Sequence, residues 1–235
     1  MKILALDSSG LVASVAVVED DNLLGEFTMN YKKTHSQTLL PMLDEMAKMI
    51  ELDLQTLDAI AVAGGPGSFT GLRIGSATAK GLALALDKPI VHIPTVDGLA
   101  YNLYGHKDLV CPIMDARRNQ TYTGLYEFKE DGMHVVLEQC AVGIEEIIQK
   151  INELGRAVVF LGDGVPVFRE QIAESCTVPY SYAPAHLNKQ RAGAVGTLAL
   201  EYYKKGMTQK AEEHKPDYLR LSQAERERLE RERKA

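Results

Sequence analysis

The sequence predicts an α/β protein of two tandem halves, and three features carry that prediction. The element order βββαβα can be read twice along the 235 residues. The first strand of each half closes on an aspartate, Asp7 in one and Asp115 in the other. The fourth strand of each half runs into glycine, at Gly64-Gly65 and again at Gly162-Asp163-Gly164. Self-similarity of this kind signals a repeated folding unit.

In chain order, residues 3–6 are an apolar run that stops at Asp7, and residues 12–18 alternate as a second strand. A third strand at 23–29 precedes a helix whose apolar residues Leu39, Leu43, Met46 and Ile50 recur at helical spacing. Ser36 suits its N-cap, and Pro41 calls for a start nearer Leu39 or a bent first turn. A buried-type strand at 59–63, the loop Gly64-Gly65-Pro66-Gly67-Ser68-Phe69 and a helix over 70–86 form a βα unit. Residues 89–93 add a strand, and Thr95 is expected to cap a helix reaching 103.

The second half opens with strands at 110–114 and 121–128, an Asp131-Gly132 turn and a strand at 133–140. A helix at 144–154, a strand at 158–161, a helix at 165–174 and a last helix at 189–204 follow. The polar stretch 104–108 divides the chain into subdomains 1–105 and 106–221, with a charged tail over 222–235 whose Glu and Arg residues suit i,i+4 pairing in water. Two βββαβα halves in tandem describe a duplicated ribonuclease-H-like architecture, similar to that of actin, Hsp70 and the sugar kinases.

Composition narrows function. With 46% hydrophobic and 25% charged residues the body of the chain needs no staple to fold. The apolar stretch at the N-terminus is too short for a signal-peptide core and is interrupted by Asp7, and no run approaches a membrane span, so the cytoplasm is the expected location. Three cysteines without a CxxC argue against a disulfide framework or zinc site. The net charge of −6 is the wrong sign for a chain that grips many phosphates, so any RNA is expected to be held by another subunit.

Few motifs carry chemistry. Asp7-Ser8-Ser9-Gly10 has the short side chains and free N–H groups that admit a phosphate, with Asp7, Ser8 and Ser9 as a reduced nucleotide site, yet the same residues suit a plain turn cap. The matching loop Asp115-Ala116-Arg117-Arg118 lacks glycine. The glycine loop before residue 70 serves either anion binding at a helix N-terminus or a sharp turn. Gly71, Gly75, Ala79 and Ala83 lay small residues along one helix face, which fits close packing on the sheet or a subunit interface with Arg73, Ser76 and Lys80 near its rim. The six histidines form no HExxH and Ser68 lacks a GxSxG elbow, so no catalytic residue, metal ligand or cofactor is expected. A metallopeptidase would need ligands this chain lacks, and a sugar-kinase reading rests on Asp7-Ser8-Ser9 alone.

Taken together, LALDSSG, GGPGSFTGLRIGSATAKGLALAL, VHIPTVDGLA, DARRNQTYTGLY and PDYLRLSQAE resemble the TsaB (YeaZ) family over nearly the whole chain. The resemblance implies a role in placing threonylcarbamoyl on adenosine 37 of tRNA, as a non-catalytic partner of the TsaD subunit alongside the TsaE ATPase. It implies tRNA contact only through that complex, and a homodimer using the same patch when TsaD is absent. TsaD binds a metal through an HxxxH pair, and Thr95 and Leu99 stand at the matching positions here. The resemblance also favours the interface reading for Gly71, Arg73, Gly75, Ser76, Ala79, Lys80 and Ala83, with Leu39 and Leu43 from the neighbouring helix. On that reading, Gly75→Leu abolishes complex formation and leaves the monomer folded.

Overall fold

A computed structural model describes residues 1–31 and 33–220. The charged segment expected at 222–235 lies outside the described residues. Strands β1 (Lys2–Asp7), β2 (Ala13–Glu19), β3 (Asn22–Met29), β4 (Ala59–Gly65) and β5 (Ile90–Pro94) form one sheet in the order β3-β2-β1-β4-β5. Strands β6 (Leu109–Asp115), β7 (Gln120–Lys129), β8 (Gly132–Gly143), β9 (Val158–Leu161) and β10 (Tyr180–Tyr182) form the second, in the order β10-β9-β6-β7-β8. The two orders correspond strand for strand. In each, the first three strands are antiparallel and the outer two join in parallel, as crossover helices require.

Helices α1 (His35–Met49) and α2 (Phe69–Leu86) cover one face of the first sheet. Leu39, Met42, Leu43 and Met46 of α1, with Ala79 and Ala83 of α2, pack there on Leu4, Leu6, Val15 and Val17. Helices α4 (Ile144–Leu154) and α5 (Val165–Ser175) cover the second sheet in the same way, through Ile147, Ile148, Ile151, Phe168 and Ile172. The inner faces are covered by exchange. Helix α3 (Thr95–Ala100), from the first half, packs on Val110, Met114, Tyr126 and Val159 of the second sheet. Helix α6 (Ala192–Lys204), from the second half, packs on Ile3, Ala5, Ala16 and Val18 of the first. Both faces of β1 are therefore buried, and its run ILAL lacks the alternation of a half-exposed strand.

Several boundaries move for local reasons. Thr34, not Ser36, precedes α1, and it makes no side-chain cap. Pro41 lies inside a helix that runs through it, because it sits on the exposed side while Leu39, Met42, Leu43 and Met46 anchor the other. Thr95 is the first residue of α3 and its hydroxyl accepts a hydrogen bond from the Gly65 amide at 3.1 Å, so it does not cap its own helix. That helix stops at Ala100 and tightens into a 3-10 turn, Tyr101–Leu103. Lys129 pairs with Gly132, so Glu130-Asp131 form the hairpin turn and Gly132, at φ 118°, begins β8. Helix α6 starts at Ala192 because turns and bends fill 185–189 and Arg191 is extended; Asn102 donates to the carbonyls of Leu187 and Lys189 at 3.0 and 2.6 Å.

Candidate functional site

A cleft of about 350 Å³ opens between the halves where the turns after β1 and β6 face each other. Ser9 and Gly10, then Ser68 and Phe69, line it from the first half; Asp115, Arg117 and Asp163 line it from the second. The C-terminal residues Tyr218, Leu219 and Arg220 enter it as well.

Asp7 does not face this space. It is buried, and its Oδ1 accepts hydrogen bonds from the Ser9 amide at 2.9 Å and the Ser9 hydroxyl at 2.6 Å. Ser8 donates to the Gly71 carbonyl at 2.9 Å. Of the three residues proposed as a reduced nucleotide site, only Ser9 lines the cleft. Burial pushes the Asp7 carboxyl from 3.8 up to about 6, against the two Ser9 hydrogen bonds that favour its anion. A carboxyl whose pKa is raised on folding binds more protons in the native state, so its contribution to stability falls as pH rises from 3.8 through 6. The shift corresponds to about 3 kcal/mol at most. Asp7→Asn is expected to raise the urea midpoint at pH 7.5 and to lose that gain by pH 4; an unchanged midpoint at pH 7.5 would refute the burial cost.

The glycine loop is occupied from within. Gly65 donates to Thr95, Ser68 donates to the Ser9 carbonyl at 2.6 Å, and the Ser68 hydroxyl accepts from the Gly71 amide at 3.3 Å. A Cβ at Gly67 would lie 2.3 Å from the Ser9 carbonyl oxygen. Close approach of the β1 turn explains this glycine without an anion. On the facing loop, Asp115 accepts from the Arg117 amide at 2.8 Å and pairs with its guanidinium at 3.2 Å. Arg117, Arg118 and Asn119 all take left-handed backbone angles there. Burial, with Asp115 nearby, raises the Asp163 carboxyl above its usual range.

The small-residue stripe is corrected by the fold. Gly71, Gly75, Ser76, Ala79 and Ala83 face inward, as do Leu39 and Leu43 of α1. A Cβ at Gly71 would sit 2.0 Å from the Ser8 carbonyl oxygen, and one at Gly75 would sit 2.5 Å from Ser8 Oγ. These residues pack α1 and α2 onto their own sheet, so Gly75→Leu would strain the monomer. Arg73 is exposed and lies 4.0 Å over the Phe69 ring. Lys80 is half-buried and donates to the carbonyls of Glu212 and His214. The outward face of the two helices instead presents Leu40, Arg73, Ala77, Gly81 and Leu84.

Sequence reasoning missed the residues that join the halves. Asp97 of α3 accepts from Tyr126 of β7 at 2.6 Å and from Tyr202 of α6 at 3.3 Å. It also missed the segment that crosses the cleft mouth, although PDYLR belonged to the resemblance. Among the described residues, no three His, Cys, Asp or Glu side chains gather as a metal-ligand set, and no helix is long and apolar enough to cross a membrane.

Two five-stranded sheets of matching strand order, with a cleft between them, define a duplicated α/β fold. A polyphosphate/ATP-glucomannokinase from Arthrobacter shares it at a TM-score of 0.50 and 10% identity, over 87% of this chain and 99% of that one. The family model for TsaD, tRNA N6-adenosine threonylcarbamoyltransferase, matches residues 22–228. The chain is 34% identical to the tRNA threonylcarbamoyladenosine biosynthesis protein TsaB of Bacillus subtilis, over 96% of both. A Pseudomonas aeruginosa structure described as similar to the peptidase YeaZ superposes with a TM-score of 0.79 at 26% identity, over 93% of this chain and 99% of that one. The chain belongs to the TsaB family, whose members are named for tRNA threonylcarbamoyladenosine biosynthesis.

Proposed function

We propose that this chain is a non-catalytic partner subunit of the cytoplasmic assembly that installs threonylcarbamoyl on adenosine 37 of tRNA, docking on a TsaD-like catalytic subunit and working with a TsaE-like ATPase. The observation that carries this reading is the state of Thr95 and Leu99. At the positions that, by the family resemblance, match the metal-binding histidine pair of TsaD, the Thr95 hydroxyl is engaged by Gly65 and the Leu99 side chain is buried in the core. Neither can serve as an imidazole does. The net charge of −6 supports an indirect hold on tRNA.

For the docking surface we propose the outward face of α1 and α2, with a homodimer through the same face when the catalytic subunit is absent. Leu40 and Leu84 are 51% and 57% exposed, and nothing lies within 4 Å of a Cβ placed at Gly81. Gly81→Leu is therefore expected to leave the monomer as stable or up to about 1 kcal/mol more stable. It should weaken binding to the catalytic subunit by about tenfold or more, a step of ~1.4 kcal/mol. Unchanged affinity in calorimetry would move the docking surface elsewhere.

The function itself is tested by reconstitution: unmodified tRNA, the adenylate donor, and cognate TsaD and TsaE, with and without this chain. Modification that requires the chain, while the chain alone is inert, is the expected result. Equal modification without it would remove the partner-subunit reading and return attention to the cleft as a small-molecule site.

A further inference from the structure

We propose that residues 206–220 form a strap that closes the cleft between the two halves, latched where the buried His214 packs against the half-buried His92, so that protonating His214 releases the strap and opens the cleft. The path of the segment is the first ground. It leaves Gly206, pairs Gln209 with Ile90 through two backbone hydrogen bonds of 2.9 Å, and lies under the Lys80 ammonium, which reaches the carbonyls of Glu212 and His214 at 3.4 and 3.2 Å. Asp217 then donates to the Gly64 carbonyl at 2.6 Å, and the Tyr218 ring lies 4.6 Å from Phe69. Arg220 finally donates to the carbonyls of Ala116 and Arg117 in the opposite half. One segment thus holds the glycine loop of the first half and the left-handed turn of the second.

The latch is the second ground. His214 is 1% exposed, and neither of its ring nitrogens has a hydrogen-bond partner. Its ring lies 5.4 Å from that of His92 on β5, which occupies the space a side chain at Gly64 would need: a Cβ there would fall 2.1 Å from His92 Cε1. The charged and titratable groups that act on His214 are His92 and, from α2, Lys80; both oppose a further positive charge. Asp217, on the strap itself, acts on His92 and raises it against the larger lowering by burial. A proton on His214 would thus be buried beside an ammonium with no acceptor. In the released strap the same imidazolium is hydrated.

The sign follows from proton linkage. Burial, His92 and Lys80 lower His214 from 6.5 to about 4 in the closed state, so closure is complete above 6.5 and weakens as pH falls toward 4. Between pH 7.5 and 5.0 this predicts an opening constant larger by about 30-fold. Asp7 works in the opposite direction over this range, since its protonation favours the folded chain. Loosening confined to the strap is therefore distinguishable from acid unfolding.

Hydrogen exchange of the full chain, read by mass spectrometry at pH 7.5 and 5.0 and corrected for intrinsic rates, tests the proposal. Peptides over 206–220 should lose protection by about 30-fold at pH 5.0 while those over α4 keep theirs. Equal corrected protection at both pH values would overturn the latch. His214→Phe keeps an aromatic ring and removes the titration, so its strap should stay protected at pH 5.0; a wild-type response in that variant would also overturn it. Should that ring fail to seat at pH 7.5, the His214 signals of the wild-type chain decide by NMR titration. A midpoint near 4 supports the latch, and an ordinary midpoint near 6.5 refutes it.

Discussion

Gly71→Leu is expected to cost the protein about 4 kcal/mol or more, a large share of the ~5–15 kcal/mol by which a domain is stable. Even a Cβ at this position would lie 2.0 Å from the carbonyl oxygen of Ser8 and 3.2 Å from its carbon, both backbone atoms that cannot rotate away. Relief requires α2 to lift from the β1 turn, which breaks the bond from Ser8 Oγ to the Gly71 carbonyl and opens the packing of Leu72, Ala79 and Ala83. Gly81→Ala in the same helix is the control. It faces solvent, so the gain in helix propensity should stabilise by up to about 1 kcal/mol. Urea midpoints at constant slope separate the two, and similar midpoints for both variants would contradict the inward assignment of the stripe.

The second large effect is expected at Asp97. This carboxylate, 5% exposed, is the common acceptor for a tyrosine of the second sheet and a tyrosine of the helix that covers the first. Asp97→Ala leaves the Tyr126 hydroxyl, fully buried, with no acceptor, and should cost about 3 kcal/mol. Asp97→Asn retains one carbonyl oxygen and avoids burying a charge, so a loss near 1 kcal/mol is expected. A double-mutant cycle with Tyr126→Phe measures the coupling. Losses of the two single variants that simply add would show that Asp97 does not join the halves. A coupling above about 1 kcal/mol assigns the junction to this hydrogen bond.

Several elements were legible because their signals are local. Helix α4 carries Ile144, Ile147, Ile148 and Ile151 on one face and ends on Gly155 at φ 63°, and its bounds follow from periodicity and cap alone. The repeat of aspartate-closed strand and glycine turn announced the duplicated sheets. Strand β10 was missed because three residues, Tyr-Ser-Tyr, offer no alternation to read; it exists because β9 supplies a parallel edge.

The cleft was half legible. Asp7-Ser8-Ser9 reads as a phosphate loop or as a turn cap with equal chemistry, and only the structure shows that the carboxylate is held by Ser9 while Ser9 lines the cleft. His214 and Asp217 lie more than a hundred residues from the His92 and Gly64 they meet, so no spacing rule links them.

The sequence by itself determined the two-sheet architecture and the family, because these rest on residue type and short-range order. Tertiary structure alone decided which face of α2 is covered, which sheet α6 packs on and where the C-terminal segment runs. A stripe of glycine and alanine suits a sheet as well as a partner helix, since both reward close approach. What separates the two is the position of one carbonyl, that of Ser8, set by a strand more than sixty residues earlier in the chain.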